Sequence, residues 1–278
     1  MPERLQFAVF GQPIAHSLSP RIHAMFAAQF GIALDYRAIE AGRDGFARAL
    51  DAFAREGGVG ANVTLPLKQD ALALCSDASE RARRCGSANT LIRDGTRWRG
   101  DSTDGIGLLR DLHTRHGFDA RGRRCLLLGA GGAARAVAFA LADAGVETLA
   151  ISNRTQERAR ELAVAINAAN VEAIHWDALG DAGTFDLVLH ATAAGHDGAP
   201  LALAPSVAAN ALCYDLSYGD AATAFLRYAK SAGAARLADG LGMLVEQAAE
   251  SFSIWHRRTP DTVPVFDALR RDRPLGGA

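Results

Sequence analysis

A short apolar strand that breaks on glycine and resumes at once as a helix of small residues leaves this chain few folds to choose from. The run is Arg124-Cys125-Leu126-Leu127-Leu128-Gly129-Ala130-Gly131-Gly132-Ala133-Ala134-Arg135. Gly129 permits the tight turn, Gly131 lets the backbone approach a pyrophosphate, and Ala134 lets helix and strand pack closely. Ala130, Gly132 and Ala133 complete a turn that rests phosphates on the helix N-terminus. About 20 residues further on, an acidic side chain would hold a ribose 2′-hydroxyl; here the chain reads Asn153-Arg154-Thr155. A carboxylate would repel a 2′-phosphate, whereas a guanidinium grips it. Arg158, one helical turn after Arg154, closes on the phosphate from the other side. The expected cofactor is NADP(H).

At 278 residues, the chain exceeds the length that one core usually serves, so two domains are expected. A net charge of −1 gives no reason to expect nucleic acid or an anionic membrane as partner. The longest apolar stretch, around the cofactor helix, is interrupted by Arg135, Asp143 and Glu147, too often for a membrane span. The N-terminus runs into a strand without the apolar core of a signal peptide, so a cytoplasmic location is expected. Cys75, Cys85, Cys125 and Cys213 are scattered with no C-x-x-C spacing. They read as reduced, buried thiols rather than as a disulfide framework or a metal site.

Strand and helix signals alternate from the start, which is the pattern of a parallel α/β fold. Phe7 to Gly11 reads as a strand, and Ser19 to Phe30 as a helix capped by Ser19 with Pro20 in its first turn. A strand from Leu34 to Ala41, a helix from Asp44 to Glu56 and a buried strand from Gly60 to Leu65 follow. Asn89 to Asp101 reads as a hairpin turning at Asp94-Gly95, and a helix from about Thr103 to His113 carries the chain into the cofactor half. There the strand into the glycine turn, the helix Ala133 to Ala144 and the strand from Thr148 come first. Strands near Phe185 to His190 and Ala211 to Leu216 come later. The long amphipathic helix after Asp239-Gly240-Leu241-Gly242, reaching about His256, is expected to return to the N-terminal half. Its glycines at 240 and 242 read as hinge positions.

Among 30 cationic residues only Lys68 and Lys230 are lysines. Arginine cannot release its proton near neutral pH, so a lysine kept against such a preference marks a position where a proton is moved. Lys230 lies in a polar helix end and is the control for that argument. Lys68 follows the buried strand and Pro66, at the carboxyl end, where open α/β sheets form their ligand crevice. Ser17 and Ser19 follow the first strand, Asn62 and Thr64 end the third, and Asn89 and Asp104 flank the hairpin. Strand ends on one sheet edge would bring these side chains together.

Over nearly its whole length the chain resembles the shikimate dehydrogenases. The resemblance is carried by Val9-Phe-Gly-Gln-Pro-Ile-Ala-His-Ser17-Leu-Ser19-Pro20, Gly60-Ala-Asn62-Val-Thr64-Leu-Pro-Leu-Lys68, Asn89-Thr90 and Gly100-Asp-Ser-Thr-Asp104-Gly105. The glycine turn, Asn153-Arg154-Thr155, Tyr214-Asp-Leu-Ser-Tyr218 and Ala238-Asp-Gly240-Leu-Gly242-Met243-Leu-Val-Glu-Gln247-Ala248 add to it. It implies an α/β protein of two domains. A substrate domain with a mainly parallel sheet would span 1–103 and 240–278, and a Rossmann-type NADP domain 104–239, with a cleft between them. The implied activity is reversible NADPH-dependent reduction of 3-dehydroshikimate to shikimate, in a monomer or homodimer. By the same resemblance Lys68 is the acid in reduction and the base in oxidation, with Asp104 holding the substrate hydroxyl and the ammonium. Ser17 and Ser19, with Tyr218, take the substrate carboxylate, and Asn62, Thr64, Asn89 and Gln247 take the ring hydroxyls. Thr192, Leu216, Gly240 and Met243 join the cofactor contacts.

Two segments depart from the family's habit. Ser87-Ala88-Asn89-Thr90 stands where relatives read Ala-Val-Asn-Thr, and His190-Ala191-Thr192-Ala193 where they read Asn-Ala-Thr-Ser. The first trims a packing side chain near the substrate loop, and the second alters a strand end facing the nicotinamide. His16, inside the first motif, reads as a packed or surface histidine. The competing readings are a quinate/shikimate dehydrogenase of broader range and a non-catalytic NADPH-binding regulator. Ser17, Ser19 and Arg154 count against the first, and the retained Lys68 and Asp104 against the second.

Overall fold

The computed structural model describes residues 4–192 and 201–275. The chain divides into two compact units, Met1–Gly107 with Val245–Val265, and Leu108–Leu244 with Phe266–Ala278.

In the first unit the elements run β1 (Leu5–Gly11), α1 (Ser19–Gln29), β2 (Leu34–Glu40), α2 (Arg43–Arg55), β3 (Gly58–Val63), α3 (Lys68–Ala73), β4 (Asp77–Ala78), α4 (Glu80–Cys85), β5 (Thr90–Asp94) and β6 (Arg97–Asp101). They form a six-stranded sheet of order β2-β1-β3-β5-β6-β4. The expected parallel pattern holds for β1 with β2 and β3, while β5 runs antiparallel to both β3 and β6. The β5–β6 pair has a local cause: Gly95 adopts φ +58 at the tip of a two-residue connection, a conformation open to glycine, and the chain folds straight back. Strand β1 is buried on both faces. Ala8 and Phe10 pack with Phe46, Leu50 and Phe53 of α2, and Phe7 and Val9 pack with Ile14 and Tyr36.

α1 starts at Ser19, but its N-cap is Leu18 and no side chain caps it. Ser19 is therefore inside the first turn rather than capping it. The Ser19 N–H instead donates to Ser17 Oγ at 3.3 Å, a local bond that replaces the missing cap.

His23 on α1 is fully buried, stacked on Tyr36 with ring centroids 4.5 Å apart, and neither ring nitrogen has a hydrogen-bond partner. Burial pushes its pKa from 6.5 down to about 3, against partial opposition from the Asn62 amide. The folded state thus binds fewer protons than the unfolded chain between pH 6.5 and 3, so stability rises with pH across that window and falls on acidification. His23→Phe is expected to shrink the loss of unfolding free energy between pH 7 and pH 5 by about 2 kcal/mol in denaturant titrations. An unchanged difference would refute the assignment.

α5 (Asp104–Thr114) carries the chain across the division into the second unit. There β7 (Arg124–Leu128), α6 (Gly132–Ala144), β8 (Thr148–Ser152), α7 (Gln156–Ile166), β9 (Val171–Ala173), β10 (Leu187–His190), β11 (Leu212–Asp215), α8 (Thr223–Ser231) and β12 (Arg236–Asp239) follow in order. All neighbouring strands are parallel, in the order β12-β11-β10-β7-β8-β9. Counted within the unit, this is the 3-2-1-4-5-6 order of a dinucleotide-binding sheet. Its direction reverses between β7 and β10. Leu126, Leu128 and Val188 on the sheet pack with Phe225 and Leu226 of α8 in one core cluster.

α9 (Leu241–His256) begins in the second unit, and from Val245 it belongs to the first, where the Trp255 ring packs tilted against Phe7 with centroids 4.7 Å apart. α10 (Val263–Asp272) follows. From Phe266 onward the C-terminal segment belongs with the second unit, not with the first as the sequence reading places 240–278. Two contacts hold it there. The Arg115 guanidinium lies 4.4 Å from the Phe266 ring, and Arg270 donates to the buried Asp239. Among the described residues, no helix is long and apolar enough to cross a membrane, and no group of three or more His, Cys, Asp or Glu side chains could hold a metal.

Candidate active site

The loops after β1 and β3 are tied at the carboxyl edge of the first sheet. Gln12 N–H donates to Leu65 O at 3.0 Å, Thr64 N–H donates to Phe10 O at 2.8 Å, and the Thr64 methyl fills the space a side chain at Gly11 would need. This brings Thr64 and Lys68 to the edge that carries Ser17 and Ser19. Lys68 opens α3, and its carbonyl accepts from the Ala88 N–H at 2.8 Å, fixing the base of the side chain.

Lys68 Nζ donates to Asp104 Oδ2 at 2.6 Å, and the two side chains are 14% and 5% exposed. The amine is therefore held inside the unit rather than released into bulk water. Asp104 Oδ1 accepts from Asn89 Nδ2 at 3.0 Å, so both carboxylate oxygens are engaged. A mostly buried ion pair costs desolvation on both partners and is poor evidence of stabilisation.

Asn89 is the hub. Its Nδ2 group lies 2.8 Å from Thr103 Oγ1, 3.0 Å from Asp104 and 3.1 Å from Gln247 Oε1, three acceptors for two hydrogens. Asn89 Oδ1 accepts from the Thr103 N–H at 2.7 Å, just before α5 begins. Gln247 reaches this cluster because Gly107 on α5 has no side chain. A Cβ there would stand 2.7 Å from that of Gln247. Asn62 forms a second layer, accepting from Tyr36 O–H at 2.8 Å and directing Nδ2 at Ser251 Oγ, 3.0 Å away, and at Asn89 O, 3.1 Å away. Burial raises the Tyr36 phenol well above its usual pKa, so it remains a donor.

The structure thus joins Lys68, Asp104, Asn89, Gln247 and Asn62 in one connected network. It adds four residues that the sequence reading passed over: Tyr36, Thr90, Thr103 and Ser251. Thr90 and Thr103 stand inside the Asn89-Thr90 and Ser102-Thr103-Asp104 motifs, and Ser251 lies one helical turn beyond Gln247, so position marked three of them. Tyr36 carried no such signal. His16 is exposed and outside the network.

In the second unit Gly129 adopts φ +127, and a Cβ there would meet Ala191 O at 2.7 Å, so only glycine serves on both counts. Around Gly131 nothing lies within 4 Å of where a side chain would stand. The first turn of α6 has no side-chain cap. Arg154 and Arg158 are exposed, and among the described residues neither has a carboxylate partner. Asn153 Nδ2 donates to Thr155 O at 2.9 Å and shapes the turn between them. A helix N-terminus without a side-chain cap, a glycine turn with open space at Gly131 and two exposed guanidiniums fit a dinucleotide 2′-phosphate.

Gly240 and Gly242 stand where the packing leaves no room for a side chain. A side chain at Gly240 would strike Leu216 O, and one at Gly242 would strike the Asp111 carboxylate. Tyr214 O–H donates to that same carboxylate at 2.8 Å and accepts from the Met243 N–H at 3.2 Å, which fixes the start of α9. Tyr218, Leu216, Thr192, Gly240 and Met243 all belong to this unit. Ala193, in the second departing segment, lies outside the described residues.

These features define a class: a two-domain α/β oxidoreductase with an NADP-type dinucleotide domain. Family profiles and relatives narrow it. A profile described as the shikimate dehydrogenase substrate binding domain matches residues 9–91, one described as shikimate/quinate 5-dehydrogenase matches 112–198, and one described as the shikimate 5′-dehydrogenase C-terminal domain matches 240–270. The chain belongs to the shikimate dehydrogenase family. A shikimate dehydrogenase (NADP(+)) from Stenotrophomonas maltophilia is 53% identical, covering 96% of each chain, and one from Xanthomonas campestris pv. campestris is 54% identical, covering 98% of each. The crystal structure of shikimate 5-dehydrogenase from Thermus thermophilus, in complex with NADP(H) and shikimate, aligns with a TM-score of 0.82 at 34% identity, covering 96% of this chain and 99% of that one.

Proposed function

We propose that Lys68 is the proton donor in the reversible, NADPH-dependent reduction of 3-dehydroshikimate to shikimate, the activity of this family in aromatic amino-acid biosynthesis. The single observation that carries the role is the Lys68 amine, mostly buried and held at 2.6 Å by Asp104 at the carboxyl edge of the first sheet. Bound NADPH supplies the hydride. A ketone oxygen that receives negative charge needs a proton from a group about 3 Å away, and Lys68 provides it; in the oxidative direction the neutral amine takes the hydroxyl proton. Asp104, braced by Asn89, keeps the amine aimed. Ser17 and Ser19, with Tyr218, are assigned to the substrate carboxylate. Asn62, Thr64, Asn89 and Gln247 are assigned to the ring hydroxyls, with Asn62 and Asn89 acting largely by holding the network in register.

The first unit is assigned to substrate and the second to NADP(H). Cofactor contacts are assigned to the turn from Gly129 to Ala134, to Asn153, Arg154, Thr155 and Arg158, and to Thr192, Leu216, Gly240 and Met243. A cytoplasmic setting belongs to the same proposal, in keeping with four cysteines outside any disulfide, of which burial pushes Cys125 and Cys213 up to about 12. The assay that tests the function follows nicotinamide absorbance with shikimate or quinate and with NADP+ or NAD+. Shikimate with NADP+ is expected to exceed every other pairing in kcat/KM by at least about tenfold. Comparable rates with quinate and NAD+ would overturn this assignment in favour of the broader quinate/shikimate reading.

A further inference from the structure

His190 ends β10, on the far side of β7 from β8, the strand that Arg154 follows, and only about 1% of it is exposed. In a sheet of this order the two mononucleotide halves of the ligand lie on either side of the central strand, so the end of β10 faces the nicotinamide half. His190 Nδ1 lies 2.8 Å from Asp215 Oδ2, and Nε2 lies 2.8 Å from Thr192 Oγ1. The imidazole is stacked on Phe225, with centroids 4.8 Å apart. The other oxygen of Asp215 accepts from the Ser217 N–H at 2.8 Å. Thr192 sits against the dinucleotide turn, its methyl 3.2 Å from where a Cβ on Gly129 would be.

We propose that Asp215 and His190 form a buried relay that fixes the direction of the Thr192 hydroxyl, making Thr192 a hydrogen-bond acceptor toward N–H or O–H groups on the nicotinamide half of bound NADP(H). The chemistry follows from valence. A carboxylate only accepts, so Nδ1 carries a hydrogen; in the tautomer that the proposal assigns, Nε2 presents a lone pair. The Thr192 hydroxyl donates its single hydrogen to that lone pair, so toward any other partner its oxygen can only accept. His190 is thus a positioning residue acting through Thr192. No part of the network assigned to proton transfer includes it.

The inference rests on NADP(H) occupying the glycine turn, and binding of NADP+ to the unaltered protein checks that separately. Calorimetric titrations with NADP+ and with 2′,5′-ADP, which lacks the nicotinamide half, test the relay. Thr192→Val removes the hydroxyl and leaves the His190–Asp215 pair in place. His190→Asn keeps a donor for Asp215 and has no atom at the Nε2 position. Each is expected to weaken NADP+ about 5–20-fold, the double variant no more than either alone, and 2′,5′-ADP by less than about twofold. Equal losses for both ligands, multiplying losses in the double variant, or unchanged NADP+ affinity would overturn the proposal. The Thr192→Val arm stands even where His190→Asn folds poorly. Nitrogen-15 chemical shifts give an independent reading: a protonated Nδ1 with a bare Nε2 is expected for His190, and a hydrogen on Nε2 would contradict it.

Discussion

Lys68→Arg is expected to be nearly as inactive as Lys68→Met, with kcat lower by about 10²–10⁴ in both. An arginine retains the positive charge that Asp104 and Asn89 are built to hold, so the comparison separates charge from proton transfer. A guanidinium stays protonated throughout the physiological range and cannot serve as an acid and base in turn. In the methionine variant the buried Asp104 loses its cationic partner and keeps only the Asn89 amide, which lowers stability. The arginine variant avoids that loss of charge. Thermal unfolding recorded beside the kinetics tells a misfolded variant from an inactive one. Substantial turnover by folded Lys68→Arg protein would remove the proton-donor role.

The second large effect concerns the cofactor. Arg154→Ala is expected to lower kcat/KM with NADPH by about 10–100-fold, the range of one or two charge-assisted hydrogen bonds to a phosphate, and to leave kcat/KM with NADH nearly unchanged. The exposure of Arg154 and Arg158 limits the effect, since solvent and salt screen such a contact. Raising ionic strength is accordingly expected to penalise NADPH more than NADH. An unaltered ratio of the two cofactors after Arg154→Ala would refute the 2′-phosphate contact.

The glycine turn, the arginine after β8 and the lysine after β3 could be read from the sequence because each is dictated by local covalent chemistry: a positive φ at Gly129, a fixed charge at Arg154, a labile proton at Lys68. The hairpin turn at Gly95 was legible for the same reason. Long-range packing was not. That Gly240 and Gly242 leave no room for a side chain depends on Leu216 and Asp111, which no spacing rule connects to them. The bond from Tyr36 to Asn62 joins β2 to β3 across β1, and alternation along a strand says which face Tyr36 occupies but not which amide it meets. The last helix misled for a similar reason. Its contacts, Phe266 with Arg115 and Arg270 with Asp239, pair residues that no spacing rule connects.

The claim that the buried amine of Lys68 moves the proton is tested most directly by measuring binding and chemistry apart. With NADP+ bound, shikimate affinity is read from equilibrium titration and the formation of NADPH from a single turnover in stopped flow. For Lys68→Arg the account predicts a shikimate Kd within about threefold of the unaltered protein and a single-turnover rate at least about 10²-fold lower. A near-normal rate coupled to a large loss of shikimate affinity would show that Lys68 only binds, and the account would be wrong.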